Sequence, residues 1–264
     1  MYRINTEESI KQIVNGQTIP VNTTVEMLLE MNVKEKSEQE IKVDFFYKEI
    51  VFDYSNPIMN RIKYDSKNSV KCSSIQERVM TDFLNSLIGK SMNVIFKPDG
   101  SIKSISGFNS ILKDIQKNTA SNNPGIQQMV IGFLRLFDED AMKRIFIQTF
   151  QIYPDKEVNV GESWNNNVAF TADDMYNEIN NTYTLKSVNN DSAVVETVAA
   201  VDIKPGSCLG GEMTGDKRGK INLNIKTGLP LNFIAIQNTK GKFNAQGTEI
   251  LMEVTSKMSI CLLQ

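Results

Sequence analysis

Three acidic clusters and one glycine-rich run are the places in this chain where chemistry could reside. The acids are Glu7-Glu8, Asp138-Glu139-Asp140 and Asp173-Asp174. A carboxylate pair cleaves glycosidic bonds when its two members face one another across a cleft, and adjacency in sequence does not establish that arrangement. Asp138 to Asp140 sit at an expected helix start, where exposed backbone N–H groups favour negative charge. Gly206, Gly210, Gly211 and Gly215 crowd the run from Pro205 to Gly215. A phosphate cradle places such glycines between a strand and a helix N-terminus. Here a strand follows, so they read as bulges or tight bends in a curved sheet. An Asp-x-Asp-x-Asp-Gly calcium loop with a later glutamate is absent.

The chain contains no histidine. That excludes Ser-His-Asp and Cys-His nucleophiles and any zinc site built on imidazole. The three cysteines, Cys72, Cys208 and Cys261, are too far apart for a Cys-x-x-Cys motif, and an odd number leaves at least one thiol unpaired. Cys208 and Cys261 lie in expected strands and would bridge if those strands were neighbours; packing as small apolar side chains is the other reading. No catalytic residue, cofactor-binding residue or metal ligand is therefore assigned, and the expectation is a protein that is not an enzyme and uses no cofactor.

The balance of 29 basic and 31 acidic residues gives a formal net charge of −2, which creates no field to attract nucleic acid or an anionic membrane. Charges of both signs alternate locally, as in Lys34-Glu35-Lys36, which describes a solvated face. No apolar run reaches the ~20 residues of a membrane span. The opening Met1-Tyr2-Arg3-Ile4 runs straight into strand-like sequence, leaving open a cytosolic protein or a mature exported one whose leader has been removed.

Alternation with a period of two dominates the chain. Val25, Met27, Leu29, Met31 and Val33 share one parity, and Val43, Phe45 and Tyr47 another. Lys48-Glu49 marks a bulge before Ile50, Phe52 and Tyr54 resume the pattern. Ile250, Met252, Val254, Met258, Ile260 and Leu262 keep one face, broken by Ser256. Strands of this length suit a large, strongly curved antiparallel sheet.

Helices are expected in four places. Ser74-Ile75-Gln76-Glu77 has the form of a capping box, followed by an apolar face of Ile75, Val79, Met80, Phe83, Leu84, Leu87 and Ile88, with Gly89 as the stop. Residues 108 to 117 carry Ile111, Leu112 and Ile115. Asn123-Pro124 then reads as a cap and first helical residue ahead of Met129 to Phe137, apolar on nearly every side. Asp138 caps a further helix in which Met142, Ile145, Phe146, Thr149 and Phe150 recur at intervals of three and four.

The sequence also repeats itself. Asn93 to Ile102 is echoed by Asn222 to Leu231, each a strand, a glycine turn and a returning strand, and Val33 to Val43 resembles Leu185 to Val195. The expected fold is α+β and a single domain over 1–264: a β-meander over 1–106 with a helix at 75–88, a helical insert over 108–150, and a related β-meander over 157–264. The two meanders form one curved antiparallel half-barrel with the insert on its concave face.

Methionine fills irregular gaps and lines adaptable pockets. The methionines on the apolar faces fit ordinary core packing, or a greasy pocket between sheet and helices lined by Met80, Phe83, Met129, Phe133, Met142 and Phe146.

The segment Tyr153-Pro154-Asp155-Lys156-Glu157-Val158-Asn159-Val160-Gly161-Glu162-Ser163-Trp164 resembles that of a family of uncharacterised secreted or lipoprotein-type proteins of Bacteroidetes bacteria. The Pro98-Asp99-Gly100 hairpin and the Asp216 to Gly228 region are similar to it too. The resemblance implies export to the periplasm or cell surface with a removed leader, and no established activity. At fold level the order of elements looks like the periplasmic lipoprotein-carrier half-barrel. The leading expectation is a non-enzymatic exported protein that binds a lipid or other apolar molecule between sheet and helices. A structural or interaction module of a cell-envelope assembly, with an envelope protein as partner, is the alternative, and a carboxylate-dependent hydrolase the third reading.

Overall fold

A computed structural model describes residues 1–57, 61–68, 72, 74–108, 132, 135–172, 175–205, 210–245 and 248–263. Its strands are β1 (Tyr2–Val14), β2 (Gln17–Lys36), β3 (Ile41–Ser55), β4 (Ile62–Asp65), β5 (Ser91–Phe96), β6 (Ile102–Ser106), β7 (Ser163–Ala172), β8 (Met175–Val188), β9 (Ser192–Pro205), β10 (Gly210–Asn224), β11 (Pro230–Ala245) and β12 (Thr248–Leu262). Two helices are described, α1 (Ile75–Leu87) and α2 (Glu139–Phe150). Expected helices over 108–117 and from Asn123-Pro124 onward fall almost wholly outside the described residues; Leu136 and Phe137, at the end of the second, form a turn.

All 12 strands belong to one antiparallel sheet, ordered β6-β5-β3-β2-β1-β12-β11-β10-β9-β8-β7, with β4 paired to β3 beside β5. This is an up-and-down meander whose two chain ends meet in its middle, where β1 pairs with β12 and the Leu263 N–H donates to the Met1 carbonyl at 2.7 Å. The meander is interrupted between β6 and β7, the point at which the chain enters the helical insert. Both echoed segments are hairpins in equivalent settings: β2–β3 lies beside β5–β6 through Val43↔Val94, and β8–β9 beside β10–β11 through Val195↔Ile221.

The sheet stays open but curls strongly. Ile102 on edge strand β6 and Val168 on edge strand β7 pack into one apolar cluster with Ile147 of α2, together with Ile179, Ala199 and Val201. Strands at opposite ends of the sheet approach each other in this way only if the sheet bends around, and α2 fills the gap between them. Curvature is also visible in the β10–β11 pair, where a Cβ on Gly215 would lie 1.9 Å from the Asn238 carbonyl oxygen. Only a residue without a Cβ allows that approach.

Both helices start as their caps dictate. The Ser74 hydroxyl accepts the Glu77 N–H at 3.1 Å and the Asp138 carboxylate accepts the Ala141 N–H at 2.8 Å, each satisfying a donor that the first turn leaves unpaired. Helix α1 buries Met80, Phe83, Leu84 and Leu87, while Ile75, expected on that face, is 65% exposed; as the first helical residue it precedes the turn that reaches the core. The chain leaves this helix through Gly89 at φ +78°. The expected bulge is present: Leu28 pairs with Glu49 and Leu29 with Tyr47, so Lys48 is the extra residue and both flanking apolar runs keep facing inward.

The core lies on the concave face. Phe146 of α2 stacks on Phe45 of β3 at 4.5 Å between ring centroids, and Phe150 meets Phe96 edge-on at 5.1 Å. The end of α2 is gripped by both echoed hairpin turns. A Cβ on Gly100 would meet the Phe150 carbonyl oxygen at 1.8 Å, and the Tyr153 hydroxyl donates to the Gly228 carbonyl at 2.6 Å. Trp164, on the first strand after the helices, donates from Nε1 to the Ile152 carbonyl at 3.0 Å and stacks on Tyr183.

Candidate functional site

Packing of α2 fills one end of the curved sheet and leaves a cavity of ≈ 470 Å³ at the other. Its floor is the concave face of the sheet: Thr6, Glu8 and Ile10 of β1, Val25 and Met27 of β2, Met252, Val254, Ser256 and Met258 of β12, Ala235, Gln237 and Thr239 of β11, and Met213 and Lys217 of β10. Phe170 of β7, Met175 and Ile179 of β8, and Ile203 of β9 form the far wall. The roof is the face of α2 that carries Ala141, Arg144, Ile145 and Gln148, with Arg135 and Leu136 before it. Spacing of three and four puts those helical residues on one side.

Five methionines, Met27, Met175, Met213, Met252 and Met258, line this space. Their unbranched side chains adapt to an occupant of irregular shape. Volumes of about 300–1,000 Å³ with apolar walls and a few polar groups are typical of small-molecule sites.

The polar group that stands out is Lys217. It is 2% exposed, shares its strand face with Met213, Gly215, Gly219 and Ile221, and has Ala199 of β9 and Gln237 of β11 as cross-strand neighbours. Its Nζ donates to Oε1 of Gln148 on α2 at 3.3 Å. Among the described residues Gln148 is its polar partner, and burial is the one influence on its charge. Burial disfavours the charged ammonium and pushes its pKa down to about 8.

Of the residues expected to line an apolar pocket, Met80, Phe83, Met142 and Phe146 are buried in the main core, and Phe146 borders a void of ≈ 10 Å³ beside Tyr2 and Phe45. Met129 and Phe133 lie outside the described residues. None of the four described residues lines the larger cavity. The acidic clusters separate: Glu7 is exposed on the convex face while Glu8 lines the cavity, because neighbours on a strand point to opposite sides. Asp138 is the cap of α2, and Glu139 has its pKa raised by burial and by the adjacent Asp140. Asp173 and Asp174 lie outside the described residues, as does Cys208; Cys261 is an exposed thiol, and the half-buried Cys72 sulfur lies 3.5 Å from the Thr81 hydroxyl. The described residues hold no cluster of acids and thiols able to ligate a metal, and no described helix is long and apolar enough to cross a membrane.

A protein family described as a family of unknown function, DUF6263, matches residues 38–230. The chain belongs to this family. The match spans strands β3 to β10 with both helices, and reaches the first residue of β11, so the matched region covers the residues that roof the cavity and position 217. A search of the curated proteins gave no match. Among solved structures, one of lipovitellin, described by its lipid–protein interactions, is similar over 100% of this chain with a TM-score of 0.51 and 8% identity. The chain spans 25% of the length of that protein. A protein engineered for asymmetric conductivity aligns over 98% of this chain and 99% of its own, with TM-score 0.24 and 9% identity. A mutant porin of Rh. blastica aligns over 98% and 100%, with TM-score 0.25 and 10% identity.

Proposed function

We propose that this protein is a non-enzymatic binding protein that holds a lipid or other apolar molecule in the cavity between its curved sheet and α2. The observation that carries the reading is the cavity itself, ≈ 470 Å³ of space on the inner face of the sheet whose walls mix methionines and branched aliphatics with threonine, glutamine and charged side chains. A fold that closed only to make a core would bring side chains together there, since interiors pack to crystal-like density. The likeness of the sheet to lipovitellin, whose structure is described by its lipid–protein interactions, supports the same class of ligand. Glu8 is the one carboxylate among the described lining residues, which favours binding over acid–base hydrolysis. The place of action proposed is the periplasm or cell surface, on the strength of the segment from Tyr153 to Trp164.

Native mass spectrometry of the purified protein, followed by solvent extraction, tests the function. The expected result is a bound apolar molecule released on unfolding, and saturable uptake of the neutral dye N-phenyl-1-naphthylamine by the stripped protein. A ligand-free protein that also fails to take up the dye contradicts it.

A further inference from the structure

We propose that the ligand of this cavity is a single-chain amphiphile with a carboxylate head group, seated against Lys217 and Gln148 with its chain along the methionine-lined floor. The inference rests on the binding function proposed above and adds the chemistry of the ligand's polar end.

A buried ammonium is costly unless an anion or several hydrogen bonds compensate it. Lys217 has one neutral acceptor, the Gln148 carbonyl oxygen at 3.3 Å, so two of its three N–H groups have no protein acceptor among the described residues. Gln148 spends its oxygen on Lys217 and keeps its amide N–H groups as donors. Together they present donors on two neighbouring groups, which matches the two oxygens of one carboxylate. With its pKa at about 8, Lys217 stays mostly protonated at neutral pH.

The surroundings have the same sign. The charged side chains that face the cavity are Arg144 of α2, Arg135 before it and Lys217, against Glu8 of β1; Lys257 pairs with Glu7 on the convex face. On β9 and β11, which flank Lys217 on either side, its neighbours are Ala199 and Gln237. A chain with a formal net charge of −2 thus places an excess of cations around an apolar space, the distribution that draws in an anionic amphiphile.

The test is displacement of N-phenyl-1-naphthylamine from the wild-type protein, Lys217→Met and Gln148→Leu, by decanoate, decanol and decyl phosphate at pH 7. Decanoate is expected to bind wild type about tenfold or more tightly than decanol, the worth of a hydrogen bond to a charged group. Lys217→Met should erase that preference, so that decanoate and decanol bind the variant within about twofold of each other, and Gln148→Leu should reduce it. Equal binding of decanoate and decanol to wild type, or a preference that survives in Lys217→Met, overturns the head-group assignment and leaves the apolar-ligand function standing. Tighter binding of decyl phosphate than of decanoate overturns the choice of carboxylate. Failure of all three compounds and of the dye overturns the function as well.

Discussion

Lys217 on the inner face of β10 donates to Gln148 on α2 at 3.3 Å, a polar link from sheet to helix beside a space walled by both apolar and polar side chains. The lysine belongs to a strand whose neighbouring residues, Asp216 and Arg218, are exposed, so one position of an otherwise charged run is turned inward. A buried cation of this kind weakens the fold unless something else requires it.

The fold without ligand should therefore be more stable once that cation is removed. The pKa of Lys217 falls from 10.5 in the unfolded chain to about 8 when folded, so between these values the unfolded state binds more protons and stability rises with pH. The penalty is fully present below about pH 8 and is relieved as pH climbs toward 10.5; at neutral pH it is worth about 3 kcal/mol at most. Urea unfolding of ligand-free wild type and Lys217→Met should show the variant more stable at pH 7, with the gap narrowing by pH 9.5. Because the buried tyrosines are common to both proteins, their titration cancels from the difference.

The two echoed hairpin turns give a paired comparison. Gly100 and Gly228 both have positive φ, +80° and +73°. A methyl group on Gly100 would strike the Phe150 carbonyl, whereas one on Gly228 meets nothing within 4 Å. Gly228→Ala should cost about 1 kcal/mol from backbone strain alone, and Gly100→Ala clearly more, since the hairpin must lift from the end of α2. Denaturant unfolding measures both, and hydrogen exchange should show β6 losing protection in Gly100→Ala only.

Phe146 occupies the centre of the aromatic core, stacked on Phe45 and edge-on to Phe96 at 6.2 Å. Phe146→Ala should cost about 3–5 kcal/mol in urea unfolding. The residue faces away from the larger cavity, so dye affinity of the folded variant should remain that of wild type.

Helix α2 roofs the cavity and depends on its cap. Asp138→Ala removes the acceptor of the Ala141 N–H and should cost about 1 kcal/mol, while Asp138→Asn should restore most of it. Thermal unfolding of the three proteins distinguishes these outcomes.

Much of this architecture can be read from residue parity. Met252, Val254 and Met258 share a face in the sequence and line the cavity in the structure, and the caps at Ser74 and Asp138 and the bulge at Lys48 follow from local chemistry. The short strand β4 was not legible, because Ile62-Lys63-Tyr64-Asp65 is too brief for a period to register. The site was the least legible part. Apolar helical faces such as Met142 and Phe146 attract a pocket assignment, yet the most apolar face of a helix is the one that the core covers. The larger cavity adjoins the mixed face instead, here Ala141, Arg144, Ile145 and Gln148. Lys217 hides among charged neighbours, and the glycines at 215 and 219 blank the apolar alternation on either side of it. Its parity with Met213 and Ile221 was the signal available.

The claim on which the rest depends is that the space under α2 receives an apolar chain. Equilibrium titration of N-phenyl-1-naphthylamine into the stripped protein, beside a Ser256→Trp variant that places an indole on the cavity floor, tests this directly. The account predicts saturable binding at one dye per wild-type chain, and binding weakened about tenfold or more in a variant that unfolds at the same urea concentration, since an indole would occupy much of the volume a ligand needs. No saturable binding to wild type, or equal binding to both proteins, would contradict it.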